Sequence, residues 1–272
     1  YSYQREVLSK NCSKDSGAAC YLLGELYFNG AGVKIDREKA NSYFEEACEL
    51  NDGRACGHLA YDNDHGIGVR VNPDQAYIAY QKACELNYGI SCFYLGDKYA
   101  KADKMKEAHY YYSKACSLKH PLSCYTLAQT YTEGKVVEKN LDKAMKAYEI
   151  ACDGEIGAAC RILAVNYQKA YSVRGDINKA LELYEKACHF YDGEACTILG
   201  EYYLNTNVIL QDTEKAIELF RKSCRLKHAR GCINLGNYYQ TAPGDLKDLD
   251  KAKRLFKKAC TLGAYQICNS SY

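Results

Sequence analysis

The chain has 272 residues, 26% of them charged, and its 36 Lys and Arg against 34 Asp and Glu leave a formal charge of only +2. Lys-rich and Glu-rich segments alternate, which reads as solvated helix faces and excludes the basic excess expected of a nucleic-acid binder. No run approaches the roughly 18 apolar residues of a membrane-spanning helix, so 16 cysteines, 27 tyrosines and 3 prolines are what remains to be explained.

The sequence begins "YSYQREVLSK", with no initial Met, basic leader or apolar stretch, so a signal peptide is expected to have been removed. The cysteines then fall at 12/20, 48/56, 84/92, 116/124, 152/160, 188/196, 224/232 and 260/268, each pair eight apart. Their first members step by 36 residues, with a single step of 32. A fixed period of this size marks a tandem array. Repeats start near residues 20, 56, 92, 124, 160, 196 and 232, with partial units over 1–19 and 261–272. The opening unit reads as the second helix of an incomplete repeat, and the sequence is therefore expected to be part of a longer array.

The first helix of each repeat, helix A, follows the second cysteine of a pair. Three residues on stands Leu in all seven repeats (Leu23, Leu59, Leu95, Leu127, Leu163, Leu199, Leu235), and the next residue is Gly or Ala. Tyr stands seven on in six of them, with Asn63 the exception. Offsets of three, four and seven trace one helical face, and the small residue admits a neighbouring helix. "NGAGV" and "HGIGV" then supply glycines for a left-handed helix end. Asp or Asn (Asp36, Asn72, Asn140, Asp176, Asp212, Asp248) opens helix B as a natural N-cap. Helix B carries Ala eight before, and an aromatic four before, the next cysteine, from Ala40 and Phe44 to Ala252 and Phe256. The third repeat is four residues short, and its "AKADKM" connection has no glycine, so the deletion is expected in the A–B turn. The chain thus reads as all-α: a single right-handed α-solenoid of about seven 36-residue helix–turn–helix repeats over 1–272.

Two cysteines eight apart on one continuous helix would lie about 12 Å apart, whereas a disulfide needs Cα atoms within roughly 7 Å. Helix-breaking segments such as "ELNDGRA" and "DGEIGAA" separate the members of each pair, so the chain reverses between them and a bond can staple neighbouring repeats. Structural zinc favours tighter spacings such as C-x2-C, a redox pair C-x-x-C, and a nucleophile an unpaired thiol. Disulfides Cys12–Cys20, Cys48–Cys56, Cys84–Cys92, Cys116–Cys124, Cys152–Cys160, Cys188–Cys196, Cys224–Cys232 and Cys260–Cys268 are expected, each contributing roughly 2–3 kcal/mol. They imply a secreted, periplasmic or otherwise oxidising location.

A 36-residue helix pair reading "LGELYFNGAGVKIDREKANSYFEEAC" resembles a Sel1-like repeat, a relative of the tetratricopeptide repeat. With C-x7-C in every repeat, the whole chain resembles the Helicobacter cysteine-rich protein family. That resemblance implies a secreted protein, with some relatives assigned to penicillin binding or β-lactamase activity and others to contact with a host. A mitochondrial intermembrane-space assembly factor has a similar array. Departures fall in repeat 2, where Asp62 and Asn63 replace an apolar residue and Tyr, and in repeats 5 to 7, which lack the G-x-G-V turn.

Catalytic patterns are missing: S-x-x-K, S-D-N, K-T-G, H-E-x-x-H and a Walker loop do not occur. "DNDHG" lacks the closing Glu of a calcium loop and reads as a capped helix end. His120 and His228 fall in inter-repeat turns, where exposure is expected. No metal or other cofactor is implied. The resemblance places the partner-binding groove on helix A. Carried over by alignment, its lining comprises Tyr21, Glu25 and Phe28, then Tyr61, Asp64 and His65. Phe93, Asp97 and Lys101 follow, with Tyr125, Gln129, Arg161 and Lys169 beyond them. Aromatics among mixed polar groups are typical of peptide-binding hot spots. The expected function is a secreted scaffold binding a peptide or protein in this groove, without nucleic acid or a membrane span. The alternatives are a binder or slow β-lactamase-like hydrolase of β-lactams or cell-wall fragments, and an assembly factor of the intermembrane space.

Overall fold

A computed structural model describes residues 2–14, 16–170, 176–205 and 210–268, which form fifteen α-helices and no strand. The turn of repeat 5 at 171–175 and the tail 269–272 lie outside the described residues. Helix α1 (Ser2–Cys12) precedes seven A helices: α2 (Gly17–Asn29), α4 (Gly53–His65), α6 (Gly89–Lys101), α8 (Pro121–Glu133), α10 (Gly157–Ala170), α12 (Gly193–Asn205) and α14 (Ala229–Thr241). The B helices alternate with them: α3 (Arg37–Glu49), α5 (Pro73–Glu85), α7 (Met105–Ser117), α9 (Leu141–Asp153), α11 (Ile177–His189), α13 (Thr213–Arg225) and α15 (Leu249–Thr261). The chain divides into two compact units, Tyr1–Ala147 and Tyr148–Tyr272. None of the described helices is long and apolar enough to cross a membrane.

Within each unit the repeat signature is a packing code. The helix-A glycine receives the helix-B aromatic: a Cβ on Gly24 would stand 2.5 Å from the Phe44 ring, and one on Gly200 would stand 2.6 Å from Phe220. Both phenylalanines are completely buried, worth about 2–3 kcal/mol each before entropy is charged. The Tyr seven residues after the second cysteine is half-buried rather than core. Tyr27 stacks on Tyr43 at 5.7 Å, with the Lys39 ammonium 4.3 Å from its ring. Lys215 over Tyr203 and Lys251 over Tyr239 repeat this cation–π contact at 4.3 and 4.0 Å. The same lysines donate their backbone N–H to the N-cap aspartates Asp36, Asp212 and Asp248, so one D-x-x-K segment both caps helix B and anchors it to helix A.

The B–A turn is equally regular. The third residue after each first cysteine from Cys48 onward is left-handed: Asn51, Asn87, Lys119, Glu155, Tyr191 and Lys227 have φ between 59° and 68°, and Gly263 has 100°. The following N–H returns to the carbonyl just before the cysteine, as in Asp52 to Ala47 at 2.9 Å, closing a Schellman-type end. This reversal brings Cα atoms of Cys48 and Cys56 to 4.7 Å and those of Cys260 and Cys268 to 5.4 Å, and all eight expected disulfides form. The second cysteine sits four residues into helix A rather than at its first residue.

Gly30 and Gly66, with φ near 70°, end α2 and α4 as the glycine turns predict, and Gly134 ends α8 in the same way. In repeat 3, α6 and α7 are joined by only 102–104, with Asp103 left-handed and Lys104 giving no side-chain cap.

Candidate functional site

The helix-A residues expected to line a groove are largely engaged with the next repeat. Tyr21, Glu25 and Phe28 converge on a residue the sequence reading passed over, His58 of the following helix A. The imidazole stacks on Phe44 at 4.9 Å, meets Tyr21 and Phe28 at 5.7 and 5.9 Å, and lies 3.6 Å from Glu25. Burial lowers its pKa, with Glu25 opposing. Arg54 and Arg37 cover the Tyr21 and Phe28 rings at 4.2 and 3.7 Å.

Tyr61 stacks on His65 at 4.0 Å and touches Tyr94, while Asp64 faces Lys98 at 3.7 Å. Phe93 packs on Tyr112 and His120, and Asp97 accepts a 2.7 Å hydrogen bond from the Tyr112 hydroxyl. Tyr125 is half-buried on α8, and Lys101 and Lys169 are exposed near the ends of α6 and α10. Gln129 borders a cavity of about 720 Å³ beside the short turn of repeat 3. Arg161 donates to Asp192 at 3.0–3.1 Å and pairs with Glu194.

The expectation of exposed turn histidines is corrected. Both are half-buried and act at the starts of helices. His120 accepts from the Ser123 N–H, and burial lowers its pKa. His228 lies 3.0 Å from the buried Thr197 hydroxyl, which contacts Ser223 at 2.7 Å. Ser223 in turn donates to the Gly193 carbonyl at 2.7 Å and is fully buried. This hydroxyl–imidazole cluster fastens repeats together, with Thr197 and Ser223 fully buried.

Asp62 is a second residue whose importance the sequence understated. It takes the position that Leu26 holds in repeat 1, is only 1% exposed, and neither carboxylate oxygen has a hydrogen-bond partner. Burial pushes its pKa up to about 6, opposed by Arg37 and His65.

A cavity of about 950 Å³ lies within the second unit on α10, α12 and α14, wholly beyond the predicted lining. Gln168, Glu201, Tyr202, Asn234, Asn237 and Tyr238 give it its chemistry. Glu201 accepts from Arg230 and Asn234, each at 2.8 Å, so the one acid is neutralised by the one base. Gln168 accepts from the Tyr184 hydroxyl at 2.7 Å, and Asn237 is exposed. Amides carry both a donor and an acceptor, so this net-neutral surface matches peptide groups and apolar side chains. Glu201 and Asn237 share the helix-A offset of Glu25; extending the same offset into repeats 6 and 7 is the signal that finds them.

A family model described as Sel1 repeat matches residues 17–52, 54–88, 86–120, 121–155, 157–189, 193–228 and 229–263. No curated protein matches the chain. A protective antigen present in uropathogenic Escherichia coli strains, with an SLR fold, has a TM-score of 0.81 at 23% identity, covering 96% of this chain and 57% of its own. This chain therefore spans little more than half the length of that antigen. A Sel1 repeat protein from Oxalobacter formigenes has a TM-score of 0.69 at 22% identity, covering 97% of this chain and 77% of its own. Helicobacter pylori cysteine rich protein B is 32% identical over 50% of this chain and 97% of its own, with a TM-score of 0.39.

Proposed function

This chain belongs to the Sel1 repeat family, and we propose that it is a secreted or periplasmic interaction scaffold, reading 1–272 as one array, whose helix-A face takes an extended peptide segment of a partner protein. Sel1 repeats mediate protein interactions, and eight disulfides suit an oxidising compartment. The observation that carries the reading is the 950 Å³ cavity on α10, α12 and α14, net-neutral with its Glu201–Arg230 pair and bordered by amides and tyrosines. Its volume is that of an ordinary ligand pocket. The Tyr21, Phe28 and Phe93 surface of the first unit is proposed as a separate contact region, because those rings are only half-buried. Contact with a host protein is one setting for such a scaffold.

The test is selection of unconstrained 12-residue displayed peptides on the fully oxidised protein. Selected peptides are then measured against Asn234→Ala/Asn237→Ala and against Tyr21→Ala/Phe93→Ala. Loss of at least tenfold in affinity on the asparagine pair is expected. Peptides whose affinity neither pair changes would refute the helix-A assignment.

A further inference from the structure

The near-balance of charge over the whole chain hides an uneven distribution. Residues 221–230 hold five Lys or Arg and 251–258 another five, with no Asp or Glu in either stretch. On α13 the residues Ala216, Phe220, Ser223 and Cys224 are buried, which turns Glu218 and Arg225 to solvent and leaves Arg221 and Lys222 half-buried. With Tyr191 of the preceding turn and Leu226, these four line a cleft of about 440 Å³. The ion pairs of the second unit engage Arg161, Lys179, Lys186, Lys215 and Arg230. None among the described residues involves Arg221, Lys222 or Arg225, so the cleft holds three cations without a carboxylate partner.

The repeat carries this arrangement one unit further. At the register of Tyr191, Glu218, Arg221, Lys222 and Arg225 stand Lys227, Arg254, Lys257, Lys258 and Thr261, all exposed. One repeat earlier the same positions are Glu155, Glu182, Glu185, Lys186 and His189, so the basic strip begins at repeat 6. Leu255 of α15 packs into the core clusters of both Phe220 and Cys224 of α13, which holds the two helices in one body. Between them, Lys251 and then Arg221 lower the Tyr239 pKa against the effect of burial. Tyr191 itself is 76% exposed and left-handed at φ 64°, where Asn51, Asn87 and Gly263 stand in other repeats. A bulky side chain in that region is strained, yet its ring lies open to solvent, 5.8 Å from the Lys222 ammonium.

We propose that this strip binds an acidic polysaccharide, a linear sugar chain bearing sulfate or carboxylate groups, with its anions on Arg221, Lys222, Arg225, Lys257 and Lys258 and a sugar ring against Tyr191. Cations repeated in register on two neighbouring repeats fit a partner whose charge also repeats along its length. Guanidinium and ammonium groups make their strongest hydrogen bonds to such oxyanions. An exposed Tyr presents an apolar body and a polar tip, which match the C–H face and the hydroxyls of a sugar ring. A lipid surface calls for apolar side chains to insert, and the cleft's one aliphatic side chain, Leu226, is half-buried. A single-stranded nucleic acid calls for several stacking platforms, and the cleft has one. The inference does not rest on the helix-A cavity or on the peptide reading.

The test is titration calorimetry of the oxidised full chain with a heparin oligosaccharide, an oligoglucuronate, a single-stranded DNA oligonucleotide and phosphatidylserine vesicles, each separately. Saturable binding of at least one sugar, weakening as salt is raised, is expected. Lys222→Gln/Arg225→Gln and Lys257→Gln/Lys258→Gln should each weaken it about fivefold or more. Tyr191→Asn, which suits the turn as Asn51 does, should weaken it about threefold or more. Lys104→Gln/Lys106→Gln removes two exposed charges from the first unit and should change affinity less than about twofold. Tighter heparin binding identifies sulfate as the group read, and tighter oligoglucuronate binding identifies the carboxylate. No saturable binding of either sugar, an equal loss in the Lys104/Lys106 pair, or tighter binding of DNA or vesicles overturns the proposal.

Discussion

Changing Asp62 to Asn removes a charge that α4 holds out of water. The carboxylate is 1% exposed and has no hydrogen-bond partner; Arg37 of α3, His65 on its own helix and the Tyr80 hydroxyl of α5 are the groups that face it. Burial lifts its pKa from 3.8 to about 6, with Arg37 and His65 pulling the other way. A rise of about two units corresponds to about 3 kcal/mol. Between the unfolded value near 3.9 and the folded value of about 6, the native state keeps a proton that the unfolded chain has released. Stability therefore falls as pH rises through that window. Below about pH 4 both states are protonated and the penalty vanishes; above about pH 6 it is fully present. Asp62→Asn should match the parent protein near pH 4 and exceed it by about 2–3 kcal/mol at pH 7.5. Urea unfolding followed by circular dichroism at 222 nm, repeated across that range, measures the difference. A difference that does not change with pH, or that shrinks as pH rises, refutes the reasoning.

Two further stability predictions follow from the inter-repeat turns. Removing the Cys84–Cys92 bond as a double alanine variant releases a loop of sequence separation 8, and loop-closure entropy puts the loss at about 2.5 kcal/mol; a urea-derived loss under about 1 kcal/mol contradicts this. Lys119, exposed and left-handed at φ 59°, should gain about 0.5–1 kcal/mol on replacement by Gly, since the left-handed conformation costs a side chain about 1–2 kcal/mol and Gly returns part of that in chain entropy. Asn51→Gly, at the same turn position, is the control and should change stability by only a few tenths of a kcal/mol, because Asn tolerates that conformation. A drop in midpoint for Lys119→Gly tells against the turn argument.

The helices, their caps, the disulfide pairing and the site of the deletion were legible because each depends on residues close in the chain. Asp36 caps an N–H three residues away, and Cys48 reaches Cys56 through one reversed turn. The glycine beneath Phe44 was legible in kind, since a small residue opposite an aromatic recurs in every repeat. His58 and the second unit's cavity were not singled out, and Asp62 was noted only as a departure from the repeat pattern. Their chemistry comes from partners in other helices: Glu25 for His58, Arg37 for Asp62, and Glu201 for Asn234.

By itself, then, the sequence determined the repeat, its two helices, the staple between repeats and the family, because a strict period writes local chemistry seven times over. Tertiary structure alone decided which helix-A side chains are spent holding repeats together and which border a cavity. Contacts such as Arg161 to Asp192 and Thr197 to His228 bridge 31 residues. They depend on how one helix pair rotates against the next, a rotation set by the summed shape of the packed side chains and written in no single residue.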